Sequence, residues 1–334
     1  MKRLLKVAGI TAATIVLLYV FLRNSNLADV WHIMRHTDAT WMILGLFVNF
    51  SALIFRTLRW RTLINPDDPP AFSATFFATT VGYMLSTVLP IRAGDVARPA
   101  LLARRTTVRF SGALGTVLTE RILDLYALLL LFVYFVFVHW YDFKAHRLFM
   151  VIKSGAIGSL IVLVALTILT VGIYSFRGGM RRVHEWVGGI VPQRFRAAWM
   201  NFYDAFVQTL DLTKRPIALI KVLLCTIGIW TVLTAQFWIV SIAMHHPLPY
   251  DSSFFISGTT TVGLAIPTPG GVGGFHKICQ VILTNFYDFD IDNSVAAALL
   301  FHIVGTLPVV IAGIVLFAFG GMSFKDVRVR SDES

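Results

Sequence analysis

The sequence predicts an all-α polytopic membrane protein with about six full spans and two re-entrant hairpins of broken helix, arranged as an inverted repeat. Its composition is that of a chain embedded in lipid. Of the 334 residues, 56% are apolar and 14% are charged, whereas soluble domains carry roughly 25% charged residues. Several apolar stretches reach the length of about 20 residues that crosses a bilayer. Two further apolar stretches are interrupted by proline and glycine, which end or bend helices.

The uninterrupted apolar stretches are predicted to be the full spans. The first follows Met1-Lys2-Arg3 without a small-residue cleavage site, so it is interpreted as a membrane anchor. Cys225 and Cys279 lie in apolar segments and are interpreted as small core residues; no metal or cofactor is predicted. The predicted spans lie near 4–22, 41–63, 111–138, 153–175, 217–244 and 294–320.

Basic residues are distributed unevenly between the loops, and cytoplasmic loops carry the excess of Lys and Arg. This pattern places both termini in the cytoplasm and the protein in the cytoplasmic (inner) membrane, and it explains the net charge of +11 without nucleic acid. Arg56 and Arg59 are interpreted as interface anchors of their span. The stretch 72–89 begins and ends on the cytoplasmic side, which predicts a re-entrant segment, although its length also allows a full crossing. The basic segments are 2–6, 56–61, 92–109, 177–221 and 325–330.

A repeated tetrapeptide marks both interrupted stretches. Thr79-Thr80-Val81-Gly82 recurs 181 residues later as Thr260-Thr261-Val262-Gly263, and each copy runs into a Pro/Gly-rich bend. Paired broken segments in corresponding halves indicate a transporter with its site between the repeats. The distribution of Lys and Arg in the loops indicates that the two hairpins enter the membrane from opposite sides. Each half would then consist of a span, a hairpin and a span, with the second half inverted relative to the first. The repeats are predicted at about 41–139 and 222–320, with hairpins at about 72–110 and 252–290.

Two regions lie outside the repeats and their spans. The segment 177–215 alternates Arg with Trp, Phe and Tyr, a composition that predicts a cytoplasmic amphipathic helix on the anionic inner leaflet. A surface that recruits lipid substrate is the alternative interpretation. The last residues, 321–334, are predicted to be a short cytoplasmic tail.

Ionisable residues inside spans are costly and usually face a partner or a wet cavity. Glu120, Arg121 and Asp124 lie on the span 111–138, where Arg121 can reach Asp124 at the i+3 position. They are predicted to form either an internal salt bridge or the polar lining of a translocation path. His302 occupies the repeat-equivalent position of Arg121. Asn49, in the middle of another span, either bonds to a neighbouring helix or lines the same path.

The first bend carries charge. Asp95 is predicted to cap a helix that begins at Val96. Arg92 and Arg98 would lie beside that helix start, and guanidinium groups match the geometry of a phosphate. The sequence therefore predicts a phosphate site here, with ordinary cytoplasmic-loop charges as the alternative.

The second bend is rich in proline and glycine instead. The prolines cannot continue a helix, and the glycines allow a tight turn and a close approach of backbone. A helix is predicted to start near Gly274, so that its free amides and a lysine form an anion site; a purely structural turn is the alternative. The residues assigned to this site are Pro267, Pro269, Gly270, Gly271, Gly273, His276 and Lys277.

Three motifs in this order resemble the flippase-like domain family, which is the transmembrane region of lysylphosphatidylglycerol synthases and their stand-alone relatives. The resemblance extends over about residues 5–320. One departure is His302, where relatives often carry Arg. The motifs are Leu89-Pro90-Ile91-Arg92-Ala93-Gly94-Asp95-Val96-Ala97-Arg98-Pro99, Thr119-Glu120-Arg121-Ile122-Leu123-Asp124 and Ile266-Pro267-Thr268-Pro269-Gly270-Gly271-Val272-Gly273-Gly274-Phe275.

The resemblance implies movement of a lipid between leaflets, without ATP hydrolysis by the chain itself. Because only a short tail follows the membrane part, lipid aminoacylation is not expected. The expected partner is a membrane lipid, either an anionic phospholipid or a polyprenyl-linked lipid, and a homo-oligomer is left open. The alternatives are a membrane-embedded enzyme acting on a lipid phosphate and a non-transporting partner subunit of a lipid-modifying system.

Overall fold

In the computed structural model, the described residues are 2–89, 93–144, 146–175, 186, 189–190, 193–264 and 268–320. Throughout these ranges the regular secondary structure is helical, which confirms the predicted fold class. The helices are α1 (Lys2–Leu22), α2 (Leu27–Arg35), α3 (Ala39–Ile64), α4 (Phe72–Val88), α5 (Gly94–Ala103), α6 (Phe110–Val138), α7 (Trp140–Lys144), α8 (Phe149–Ser175), α9 (Gln193–Leu210), α10 (Pro216–Ala243), α11 (Ser252–Leu264), α12 (Gly274–Phe286) and α13 (Ile291–Phe319).

Five helices in the described part of the chain are long and apolar enough to cross a membrane, namely α3, α6, α8, α10 and α13. The sixth predicted span, 4–22, lies in α1, whose apolar part is the shorter stretch Thr11–Leu22. On α8, Leu160, Ile161 and Ile168 are each more than half exposed, as expected of side chains that face lipid. These helices make the protein a polytopic membrane protein.

The chain divides into two compact units. Unit 1 comprises Met1–Ala52, Tyr83–Ala93 and Trp230–Ile314. Unit 2 comprises Leu53–Gly82, Gly94–Ile229 and Val315–Ser334. The acidic residues of α6 belong to unit 2, and the Pro/Gly-rich second bend belongs to unit 1.

Both helix breaks fall where the sequence predicts them, and the glycine of each repeated tetrapeptide allows the two helices flanking the break to meet. A Cβ added at Gly82 on α4 would lie 1.9 Å from Cγ of Arg98 on α5. A Cβ added at Gly263 on α11 would lie 2.6 Å from the carbonyl carbon of Gly274 on α12. A side chain at either position would therefore force the hairpin apart.

The helices that follow the two hairpins have matching bounds. α6 begins at Phe110 and α13 at Ile291, and they end at Val138 and Phe319; both pairs of residue numbers differ by 181. The offset of the tetrapeptide thus extends to whole elements, as an internal repeat requires.

Part of the predicted amphipathic segment 177–215 is α9, and this helix packs against α6. The hydroxyl oxygens of Thr209 and Thr119 lie 2.6 Å apart, and the Phe206 side chain is buried. The residues 176–185, 187–188 and 191–192 of the segment, and the tail 321–334, lie outside the described residues. The location of α9 on the inner leaflet stays a prediction.

Replacement of either tetrapeptide glycine should destabilise the protein. We expect Gly82→Ala and Gly263→Ala each to lower the free energy of unfolding by roughly 1–3 kcal/mol, since the added methyl group overpacks a closed contact. Gly112→Ala on α6 is the matched control, because a Cβ there meets nothing within 4 Å. Thermal unfolding of the purified protein in detergent measures the effect. Equal stability of Gly112→Ala and the two tetrapeptide variants would contradict the assigned role.

Asp290 caps α13. Its Oδ1 accepts a hydrogen bond from the Asn293 amide at 2.8 Å, and its Oδ2 accepts one from Asn293 Nδ2 at 2.7 Å. Partial burial opposes ionisation, but the bonds from Asn293 prevail and hold the pKa of Asp290 below its ordinary value. The stabilisation is therefore present at neutral pH and is lost as the pH falls through that lowered pKa.

We expect Asp290→Ala to lower the free energy of unfolding by about 1 kcal/mol, the usual effect of losing a cap. Asp290→Asn keeps an acceptor at the same position and should retain most of this stability at neutral pH. Unfolding measured across acidic pH should show the wild-type advantage over Asp290→Ala shrinking below about pH 4. An advantage that persists unchanged in acid would rule out the carboxylate as its source.

Candidate functional site

A buried ion cluster lies at the centre of unit 2. Arg98 on α5 and Glu120 on α6 form a salt bridge of 2.6 Å between Nη2 and Oε2. Nε of Arg59 on α3 lies 3.5 Å from the other carboxylate oxygen of Glu120. All three side chains are fully buried, so the Glu120 carboxylate is held between two guanidinium groups away from solvent.

The cluster continues toward an accessible end. Arg59 donates to Asp124 Oδ1 at 2.7 Å and to the Thr226 hydroxyl at 3.3 Å. Arg121 binds Asp95 Oδ1 at 2.6 Å and lies 3.5 Å from Asp124 Oδ2. The side chains of Arg121, Asp95 and Asp124 are 29%, 24% and 18% exposed. We call the six residues together the α6 ion network: Arg59, Asp95, Arg98, Glu120, Arg121 and Asp124.

Three cations and three anions balance one another in the α6 ion network. Placing a charge at the centre of a membrane helix costs about 2.5–3.5 kcal/mol on insertion scales. Pairing between these charges offsets that cost. Glu120 and Asp124 each contact two guanidinium groups, and Asp95 contacts one. The buried members Arg59, Arg98 and Glu120 depend on one another, because loss of one leaves its partner buried without compensation.

Aromatic packing holds Arg98 in place. Its guanidinium lies 4.2 Å from the ring centroid of Trp60, within the range of a cation–π contact. Trp60 is itself fully buried, and its indole N–H donates to the Thr116 hydroxyl at 2.9 Å. The Arg98 stem passes Gly82, where no side chain obstructs it.

The structure resolves several predictions about the first bend. The i+3 contact between Arg121 and Asp124 is confirmed. The prediction that Asp95 caps a helix beginning at Val96 is wrong, because α5 begins at Gly94 and the Asp95 carboxylate binds Arg121. Arg98 is engaged with Glu120, so binding a phosphate would require it to change partners. Arg92 lies outside the described residues.

Arg59 is the member of the network that sequence reasoning missed. Interpreted as an interface anchor, it is instead fully buried and contacts both Glu120 and Asp124. The signal available in the sequence was the charge imbalance on α6, where two carboxylates accompany one arginine. That imbalance requires a cation from another span.

The second bend, in unit 1, is the predicted glycine turn. Gly270, Gly271 and Gly273 have φ of 61°, 71° and 93°, values that favour glycine over other residues. Pro269 opens a single 3₁₀ turn, Pro269–Gly271. The helix α12 then starts at Gly274 as predicted. Pro267 lies outside the described residues.

His276 lies in the first turn of α12 and is almost fully buried. Its Nδ1 accepts a hydrogen bond of 3.3 Å from the Gly273 amide. Its ring centroid lies 4.6 Å from that of His302 on α13 and 5.2 Å from that of Phe21. The two histidines are thus brought together, as the network residues are in unit 2.

Lys277 and Asn49 have defined partners. Lys277 Nζ donates to Gln280 Oε1 at 2.6 Å, and Gln280 in turn donates to the Phe21 carbonyl at 3.3 Å. A role of Lys277 in anion binding stays a prediction. Asn49, on α3, donates to Gln236 Oε1 at 2.7 Å on α10 and is buried. Of its two interpretations, the bond to a neighbouring helix is the one present.

The same contact recurs in both halves of the chain. Asp95 and His276 differ by 181 residues, and each lies in the first turn of the helix after a break. Their partners Arg121 and His302, on the following long helices, also differ by 181. An ion pair in the first half therefore corresponds to an imidazole pair in the second.

Within the described residues, no group of three or more His, Cys, Asp or Glu side chains is arranged to hold a metal ion.

Removing the Glu120 charge should be strongly destabilising. Glu120→Gln leaves Arg98 and Arg59 buried beside a neutral amide, and we expect a loss of about 3–5 kcal/mol in the free energy of unfolding. The double variant Arg98→Met/Glu120→Leu should lose less than the sum of its two single variants, since it removes both charges of this salt bridge. Asp142→Asn, at an exposed carboxylate, is the control. Chemical unfolding in detergent micelles measures each, and wild-type stability in Glu120→Gln would contradict the network's role.

Comparison with known proteins gives one family. The family model described as the lysylphosphatidylglycerol synthase TM region matches residues 4–313. A search of curated proteins returns no match to the chain.

Proposed function

The chain belongs to the lysylphosphatidylglycerol synthase TM region family, and from this premise we propose that it is a flippase or scramblase that moves a phosphate-bearing lipid between membrane leaflets. Family membership and the apolar helices make it a multi-pass membrane protein with a role tied to membrane lipids. The lipid, the transport and the inner-membrane location with cytoplasmic termini are our proposal.

One observation carries the proposal: the α6 ion network is charged, joins the membrane spans α3 and α6 to the short helix α5, and has an accessible end. Ionisable residues within spans mark the paths of polar substrates. Asp95, Arg121 and Asp124 expose part of their side chains, whereas Arg59, Arg98 and Glu120 do not. The accessible charges can therefore exchange partners with a head group while the buried ones stay in place.

Arg121 is the residue through which we expect the head group to bind. Its guanidinium already binds two carboxylates, Asp95 at 2.6 Å and Asp124 at 3.5 Å. A lipid phosphate, like a carboxylate, offers a pair of acceptor oxygens that a guanidinium can bind. The phosphate would replace Asp95 on Arg121, and Asp124 would keep the guanidinium oriented. The acyl chains would remain in the bilayer, so that only the polar head group needs a protein path.

The internal repeat supports alternating access. In our proposal the repeats are 41–139 and 222–320 and have inverted topology, as the loop charges indicate. The matched bounds of α6 and α13 and the matched contacts after each break support a repeat. Inverted repeats with broken helices are the architecture of many secondary transporters, which move substrates downhill or by coupling to an ion.

Reconstitution into liposomes tests the function. Purified protein should accelerate the flipping of head-group-labelled phospholipid above the rate of protein-free liposomes. Arg121→Ala should reduce that acceleration by about tenfold or more, the value of a charge-assisted hydrogen bond. Asp95→Asn removes the competing carboxylate and keeps Arg121, so it should retain transport. Arg35→Ala, at an exposed residue of α2, is the matched control.

Rates equal to those of protein-free liposomes, for phospholipids and polyprenyl phosphates alike and with or without a pH gradient, would overturn the proposal. Loss of transport in Arg35→Ala as large as in Arg121→Ala would remove the assigned role of Arg121.

A further inference from the structure

His276 caps the N-terminus of its own helix, α12, because a lone pair on Nδ1 accepts the hydrogen bond from the Gly273 amide. This is an unusual role for an ionisable side chain. Gly273 is the residue before α12, and its amide donates to Nδ1 of His276 three positions later. A Glu or Gln normally fills this position, where its side chain accepts the amide hydrogen at the helix start. Imidazole can do so only while Nδ1 carries no proton, so the ring is neutral with its hydrogen on Nε2.

The surroundings of His276 give no support to a second proton. The ring is 3% exposed and lies among the rings of Phe21, Phe275 and His302. Burial among apolar rings disfavours an imidazolium. Contact with a second imidazole adds repulsion whenever both rings are charged.

The charged groups near the pair are cations. Lys277 follows His276 on α12, and Arg23, directly after α1, acts electrostatically on Lys277. The thiol of Cys279 is buried one turn further along α12. Three of the segments packed against α12 and α13 contain no ionisable acid or base: these are Ser252–Leu264 on α11, 39–52 on α3 and 230–243 on α10. The other two do contain such residues: α1 carries Lys2, Arg3, Lys6 and Tyr19, and the end of α4, whose Thr87 carbonyl lies beside Gly270, carries Tyr83. On α13 itself, Asp292 lies ten residues from His302 and binds the Asn26 amide.

The equivalent contact in the first half behaves differently. Asp95 and Arg121 attract one another because they carry opposite charges. His276 and His302 occupy the same positions without opposite charges, so their contact is opposed once both rings are protonated. Protonation of His276 therefore removes the acceptor of the Gly273 amide, whereas protonation of Asp95 would weaken an ion pair.

We propose that His276 is a proton-binding site, and that protonation of its Nδ1 releases the start of α12 from the second bend. The Gly273 amide loses its acceptor at the moment the ring becomes a cation beside His302. The hairpin formed by α11 and α12 then opens at its turn. This inference rests on the proposed function only in one respect: it names the proton as the ion coupled to lipid movement.

Hydrogen–deuterium exchange of the reconstituted full chain tests the site without requiring transport. Burial and the neighbouring His302 lower the pKa of His276 to about 3, so the step is expected in strong acid. After correction for the intrinsic pH dependence of exchange, amides 273–280 should exchange on the order of fivefold faster at about pH 3 than at about pH 7.5, the effect of losing a cap. Amides of α5 should show no such step, because the first turn of α5 is bound through the Asp95–Arg121 ion pair and not through an imidazole.

Two variants, His276→Gln and His302→Phe, test whether the increase in exchange in acid arises from protonation of His276 Nδ1. His276→Gln can accept the Gly273 amide but cannot titrate, so it should keep wild-type protection at neutral pH and lose the acid step. His302→Phe retains an aromatic ring and should keep the step. A step that persists in His276→Gln, or a wild type without a step, would overturn the proposal. A step lost in His302→Phe would overturn it as well, by moving the proton to His302.

Lipid flipping measured in the same liposomes separates this inference from the proposed function. An acid step in exchange without any flipping upholds the proton site and refutes the flippase. Flipping in wild type that is unchanged by His276→Gln, under a pH gradient and without one, overturns the assignment of the proton as coupling ion.

Discussion

Glu120 imposes the constraint from which the first half of the fold follows. Its carboxylate is fully buried on α6, and an uncompensated ion there would cost several kcal/mol. α5 therefore brings Arg98 to one carboxylate oxygen, and α3 brings Arg59 to the other. The path of the Arg98 stem across α4 in turn requires a glycine at Gly82. One carboxylate thus fixes the positions of four helices, and the accessible ion pairs of Arg121 depend on that framework.

The second half reaches a similar arrangement by different chemistry. The positions equivalent to Arg98 and Glu120 are Cys279 and Phe301, both fully buried. Packing there replaces the attraction of charges, and Gly263 brings the helix backbones together. Ion pairs are directional and strong where solvent is excluded, whereas ring contacts tolerate sliding.

The sequence predicts the helical elements well because their determinants are local. Bilayer-length apolar runs, prolines and positive-φ glycines each act on the residues beside them, so the breaks and the start of α12 at Gly274 follow directly. Side-chain partners from distant segments cannot be predicted in this way. Nothing near Arg59 indicates Glu120, and nothing near Asn49 indicates Gln236. The excess of carboxylates over arginine on α6 predicts that a cation from another helix pairs with them. Which residue supplies that cation is decided by tertiary packing. The misplaced cap at Asp95 has the same origin, since Arg121 engages the carboxylate.

The close approach of α1 to the second bend bears on how such a protein can be divided. A Cβ added at Gly273 would lie 2.5 Å from Cβ of Leu17, and Gln280 bonds to the carbonyl of Phe21. The second bend and α12 are thus contacted by a helix from the opposite end of the chain. A fragment of residues 222–320 alone would lack α1, and with it the Leu17 and Phe21 contacts to the second bend and α12.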